Sequence, residues 1–123
     1  MAGFVAGTIN EPLTGPVSVV PNGTASIEID LSNGIAKADI FVNLTAGDGA
    51  TKAFEVSLYV VEQAEGTVAS HKYRPITTEL DPNPFEVAFK DVPAGTYKVE
   101  VKNLDEAVTG TINYIRYRPY TWQ

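Results

Sequence analysis

Residues 24–44 read TASIEIDLSNGIAKADIFVNL, and the period of that stretch decides the fold class. Ala25, Ile27, Ile29 and Leu31 alternate with Ser26, Glu28 and Asp30. Successive side chains of a strand point to opposite faces, so this is a strand with one buried side. Asn33-Gly34 follows. Both residues tolerate positive φ, and the pair predicts a tight hairpin. Beyond it Ala36, Ala38, Ile40, Val42 and Leu44 form the inward set of a second strand, with Lys37, Asp39 and Asn43 outward.

The same period continues on both sides. Upstream, Asn22-Gly23 separates Val17–Val20 from the first strand and predicts another hairpin. Downstream, Phe54, Val56, Leu58 and Val60 oppose Glu55, Ser57 and Tyr59. A turn at residues 63–66 then leads into a return strand from Val68 to Tyr73. Pro75, Pro82 and Pro84 confine the next segment to a loop or an edge, because proline cannot donate to a ladder. Phe85, Val87 and Phe89 alternate again, and Pro93-Ala94-Gly95 turns the chain into Tyr97, Val99 and Val101. A last strand is predicted from Thr109 to Arg118. Only Leu104–Val108 has room for a single helical turn. Short strands with turn signals about every 8–12 residues predict an all-β, antiparallel β-sandwich of jelly-roll type.

Composition narrows the function. At 123 residues the chain has the size of one domain, long enough to bury roughly two-thirds of its unfolded surface. With no cysteine, a disulfide scaffold, a thiolate metal site and a cysteine nucleophile are excluded. A net charge of −6 offers nucleic acid no basic surplus, so no nucleic-acid partner is expected. No run approaches the roughly 20 apolar residues of a membrane helix, and the first residues lack the basic and apolar regions of a signal peptide.

Catalytic chemistry finds few candidates. His71 is the only histidine, and its neighbour Ser70 points to the opposite face of a strand, so the two form no nucleophile–base pair. One histidine does not make a zinc site. The loop from Ala46 to Thr51 supplies one carboxylate, Asp48, where calcium gathers six to eight oxygens; it reads as a flexible loop. The acids mostly occupy outward positions of strands, as solvated surface residues do. The sequons Asn22-Gly23-Thr24 and Asn43-Leu44-Thr45 are read as chance matches, the first a turn. No enzyme activity, no metal and no cofactor is expected.

The last ten residues carry the one local bias. Tyr114, Tyr117, Tyr120 and Trp122 are four of the twelve aromatics, and Arg116 and Arg118 are two of the three arginines. Residues 1–113 hold −8, while the last ten hold +2 and no acid. Tyr, Trp and Arg are the types enriched at interface cores. In strand geometry Tyr114, Arg116 and Arg118 share one face, with Ile115 and Tyr117 on the other. Pro119 is expected to end the ladder, dividing the chain into a sandwich domain at residues 1–118 and an extension at 119–123. The predicted partner-binding set is Tyr114, Arg116, Tyr117, Arg118, Tyr120, Trp122 and Phe4. Three fates remain open for the aromatics: capping their own core, docking on a neighbouring subunit, or forming a carbohydrate platform.

The stretch FKDVPAGTYKVEVKNLDEAVTGTINYIRY, Phe89 to Tyr117, resembles the closing strands of bacterial jelly-roll modules of the pre-peptidase C-terminal type. VSLYVVEQAEGTVASHKY, residues 56–73, is similar to their preceding strand and hairpin, with Ser57 where an aspartate is common. The likeness covers roughly half the chain, and its motifs are structural. At the level of class alone, an acidic cysteine-free sandwich also resembles phage head decoration or cement proteins. That resemblance implies a non-enzymatic virion accessory subunit, made in the host cytoplasm and residing in the virion. Its partner would be the major capsid or another virion protein, with the chain a homo-oligomer or lattice-bound multimer. The alternative is a carbohydrate-binding or adhesion module of the same fold.

Overall fold

The computed structural model describes residues 2–52, 54–62, 67–73 and 84–123, with 62 and 67–73 described by strand placement alone. Nine strands follow in order: β1 (Phe4–Ala6), β2 (Asn10–Val19), β3 (Thr24–Asp30), β4 (Lys37–Thr45), β5 (Phe54–Glu62), β6 (Thr67–Tyr73), β7 (Phe85–Pro93), β8 (Thr96–Asn103) and β9 (Gly110–Trp122). No helix occurs among the described residues, and Leu104–Val108 forms a bend rather than a helical turn.

Two antiparallel sheets pack face to face. Sheet A runs β1-β9-β4-β7, with β2 also pairing with β9, and sheet B runs β3-β8-β5-β6. Setting β1 aside, the orders are β2-β9-β4-β7 and β3-β8-β5-β6, the two Greek keys of a jelly roll. The inward residues of both sheets meet in one core, including Ile40, Val42, Leu44, Phe54, Val56, Leu58, Val99, Val101, Ile112 and Ile115. Each side chain there contributes about 1.5–3 kcal/mol by leaving water. The alternation that predicts strands therefore also supplies the core.

Two predicted hairpins are not hairpins. The chain does reverse at Asn22-Gly23 and Asn33-Gly34, where Asn22 has φ 57° and Gly34 φ 73°. Yet β2 pairs with β9, β3 with β8, and β4 with β7 and β9, so each turn carries the chain across to the opposite sheet. The physical reason lies beside the turn. Leu31 and Ile35 flank Ser32-Asn33-Gly34, and both pack against the core. The connection thus plugs the end of the sandwich and spans the roughly 10 Å between sheets. A two-residue hairpin would leave both side chains in water. Among the described strands, β5 and β6 are the one pair of sequence neighbours that join in the same sheet, as predicted.

The ladder also runs through Pro119. β9 continues to Trp122, pairing Ala38 with Pro119, Lys37 with Tyr120, and Phe4 to Ala6 with Trp122 to Tyr120. Residues expected to form an extension are therefore strand up to Trp122. The Pro119 carbonyl accepts from the Gly7 N–H at 2.8 Å. Its missing donor faces the same side, at the break between β1 and β2, where no strand asks for it.

Candidate functional site

β9 crosses the middle of sheet A, so its outward side chains form the spine of that sheet's solvent face. Ile115 and Tyr117 point inward, Ile115 buried and Tyr117 packed against the core. Tyr114, Arg116, Arg118, Tyr120 and Trp122 take the opposite phase and stand outward in one row. Phe4 joins them from β1, opposite Trp122. Six of the seven predicted residues thus share a face. Tyr117 lies apart from it and serves the core.

Two bulges fill the face. On β9, pairing with β4 slips between Asn43 and Leu44, so Ile112 and Ile115 both reach the core while Asn113 and Tyr114 turn outward. The Asn113 amide donates to Asn43 Oδ1 at 2.9 Å and to Thr45 Oγ1 at 2.8 Å. On β7, pairing slips between Ala38 and Ile40, and Asp91 adopts φ 55°. The extra residue presents both Lys90 and Asp91 toward Asp39, a re-aiming typical of bulges. The Asp91 N–H donates to Asp39 Oδ1 at 2.9 Å.

The resulting surface is a lattice of rings and charges. Phe4 and Trp122 meet edge to face with centroids 4.9 Å apart. Lys37 Nζ sits 4.3 Å from the Phe4 ring centroid and 5.4 Å from that of Tyr120, and pairs with Asp91 at 2.6 Å. That pairing holds the Lys37 ammonium above its ordinary pKa. The Tyr120 hydroxyl donates to Asp39 Oδ2 at 3.2 Å, and Lys90 reaches the same oxygen at 3.7 Å while lying 4.9 Å from the Phe41 ring. The Arg116 guanidinium stacks 3.6 Å from the Tyr114 ring and donates through Nε to Glu11. Glu11 is held below the usual carboxylate range, first by the Thr14 hydroxyl and then by Arg116. The Tyr114 hydroxyl donates to Glu86, a bond that raises its pKa. Between Ile9, Phe41, Glu86, Tyr114 and Arg116 lies a cleft of about 180 Å³.

The sequence reading missed Lys37, Asp39, Phe41, Glu86, Lys90 and Glu11 as members of this face. One signal was available. Phe41 is a large apolar residue in the outward phase of β4, and an outward aromatic on a half-buried strand asks for an explanation. Glu86, Lys90 and Glu11 lie on strands that only the long-range pairing brings alongside.

Elsewhere the calcium-like loop has a different use. The Thr51 and Lys52 N–H groups donate to Asp105 Oδ2 at 2.7 and 3.1 Å, and those of Ala107 and Val108 to Asp105 Oδ1 at 2.8 Å each. These four donors, led by Ala107, hold the Asp105 carboxyl far below the usual range. The loop is pinned by a carboxylate from another segment. Among the described residues no group of three His, Cys, Asp or Glu could hold a metal. His71 falls in β6, whose side chains lie outside the described residues.

No protein-family model matches the chain, and no curated protein sequence matches it. Solved structures do. Over 99% of its length the chain is similar to part of the enzymatically active domain of bacteriophage CBA120 tailspike protein 4, at 11% identity and a TM-score of 0.60. Over 97% it is similar to part of a serine protease of Aeromonas sobria, at 9% identity and 0.56. Over 99% it is similar to part of a β-porphyranase of glycoside hydrolase family 86 from Bacteroides plebeius, at 15% identity and 0.52. The chain spans 19%, 27% and 21% of those chains respectively. At these identities what is shared is the sandwich, the same architecture in a protease, a porphyranase and a tailspike. Fold alone selects no function among them.

Proposed function

We propose that this chain is a non-catalytic carbohydrate-binding module that holds its ligand on the outer face of sheet A. One observation carries the reading. Trp122 and Phe4, 60% and 51% exposed, stand in the same row as a prearranged set of charged hydrogen-bonding groups. A sugar ring presents an apolar C–H face beside a rim of hydroxyls. Its complement is a flat ring next to donors and acceptors that are already fixed in place. Aromatic side chains supply rigid area at little entropic cost, and ionised partners make the stronger hydrogen bonds. Tyr114 to Trp122 spans roughly 27 Å of strand, which suits a chain of sugars running along β9 past the cleft at Phe41 and Tyr114.

The test is a glycan panel read by affinity electrophoresis, with Trp122→Ala as the variant. The expected result is retention of the intact protein by one glycan class and at least tenfold weaker retention of the variant, about 1.4 kcal/mol. Unchanged binding by Trp122→Ala would place the ligand elsewhere.

A second reading has its own observation. Among the described strands β1 pairs on one side only, with β9, and Val5 on its other face is 45% exposed. An edge strand of this kind suits strand addition by a protein partner, such as a capsid or other virion protein. Val5→Lys separates the two readings. It abolishes association with such a partner and leaves glycan retention intact.

A further inference from the structure

The cations on the outer face of sheet A are not equivalent. Lys37 pairs with Asp91, Lys90 with Asp39, and Arg116 with Glu11. Arg118 stands at the centre of the row, between Arg116 and Tyr120, and its guanidinium forms no hydrogen bond or ion pair with any described residue. Its cross-strand neighbour is Asp39, whose oxygens already receive the Asp91 N–H, the Tyr120 hydroxyl and Lys90. On the far side of β9 the strand pairing is interrupted between Asn10↔Tyr117 and Ala6↔Tyr120, so no ladder partner stands opposite Arg118 there.

A guanidinium carries five N–H donors in a planar fork matched to carboxylate and sulfate oxygens. Arg116, two residues away on the same face, is already engaged by Glu11, so the unpaired fork in the row is that of Arg118. The chain as a whole carries −6, so diffuse attraction does not draw a polyanion to it; only a local arrangement does.

Building on the carbohydrate reading, we propose that the ligand is an acidic oligosaccharide whose carboxylate or sulfate is held by Arg118. Its sugar rings lie against Tyr120, Trp122 and Phe4.

The experiment compares matched polymers in affinity electrophoresis at about 0.15 M salt: polygalacturonate against its methyl ester, and dextran sulfate against dextran. The full chain is run beside Arg118→Gln, Lys102→Gln and Trp122→Ala. Lys102 is an exposed cation on β8 of the opposite sheet and controls for charge removal as such. The expected result is tenfold or greater preference for the charged member of one pair, lost in Arg118→Gln and kept in Lys102→Gln. Which pair responds tells carboxylate from sulfate. Equal retention of charged and neutral members overturns the acidic assignment, as does an equal loss in Arg118→Gln and Lys102→Gln. Retention by neutral glycans alone overturns that assignment but leaves the carbohydrate reading standing. Binding to no polymer in these pairs or on the wider panel overturns the carbohydrate reading itself.

Discussion

Asp105 is 3% exposed and accepts four backbone N–H groups from two segments. Beside it Asn103 accepts the Asp105 N–H and donates to the carbonyls of Val19 and Val108 at 3.0 and 2.9 Å. Two adjacent polar side chains thus tie together β2, β8, the loop before β5 and the approach to β9. Because folding depresses the Asp105 pKa, its contribution is complete above the ordinary aspartate value near 3.9. It fades as the pH drops below that value, since the unfolded chain takes up the proton first. Asp105→Asn should therefore melt well below the wild type at pH 7, with the gap narrowing toward pH 3. Thermal melts across that range check this, and a gap constant with pH would mean that the charge is irrelevant. Asn103→Leu orphans two carbonyls and the Asp105 N–H, at about 1–3 kcal/mol each, and urea unfolding at neutral pH measures the loss. Neither role was legible in the sequence, where Leu104–Val108 offers only room for a single helical turn and Asn103 carries no signal. Their partners lie up to 84 residues away.

Strands were the most legible elements, and their neighbours the least. Period-two alternation found β3, β4, β5, β7 and β8 because each has one buried face, and burial acts residue by residue along the strand. β1 escaped notice: its three residues are all exposed, so no periodicity marks it. The phase change inside β9 escaped as well, because a bulge at Asn113 is written in the pairing with β4 and not in composition. Gly110, at the start of β9, shows how closely this element is fitted. A Cβ there would lie 2.2 Å from Cζ of Phe54, whose ring is 1% exposed and close-packed. Gly110→Ala should cost about 1–3 kcal/mol through overpacking. The double variant with Phe54→Leu should recover part of that loss, since the two sites share one volume. A double-mutant cycle in urea checks the coupling; strict additivity would locate the strain elsewhere.

Across the whole molecule, the Asn-Gly turns were readable as reversals, but the sheet each strand joins was not. That choice depends on which apolar faces close over which, a property of all the strands together. The terminal aromatics show the same division between local and global. Alternation alone placed Tyr114, Arg116 and Arg118 on one face and Tyr117 on the other, while Tyr120 and Trp122 join the first only because the ladder runs on through Pro119. Whether they belong to the fold depended on β1, β4 and the break opposite Pro119. The ends of the described chain are strapped to each other: Gly3 and Gln123 exchange N–H···O bonds at 2.6 and 2.9 Å, Gly7 donates to Pro119, and Ala36 donates to Tyr120. Removing residues 119–123 would delete all four bonds and unpair β1 entirely. At about 0.5–1.5 kcal/mol for each net hydrogen bond, these four alone are worth on the order of 2–6 kcal/mol, and the ladder pairing lost from β1 and from Lys37–Ala38 adds to it. Trp122→Ala keeps every backbone bond and uncovers only one edge contact of Phe4, so its stability should stay close to that of the parent. Urea unfolding of the two variants side by side separates scaffold from surface. If the truncated chain unfolds at the same midpoint as Trp122→Ala, the last five residues are an appendage to the sandwich. If it unfolds much earlier, they are part of sheet A, and lost ligand binding in a truncated chain says nothing about the aromatic row that Trp122→Ala probes directly.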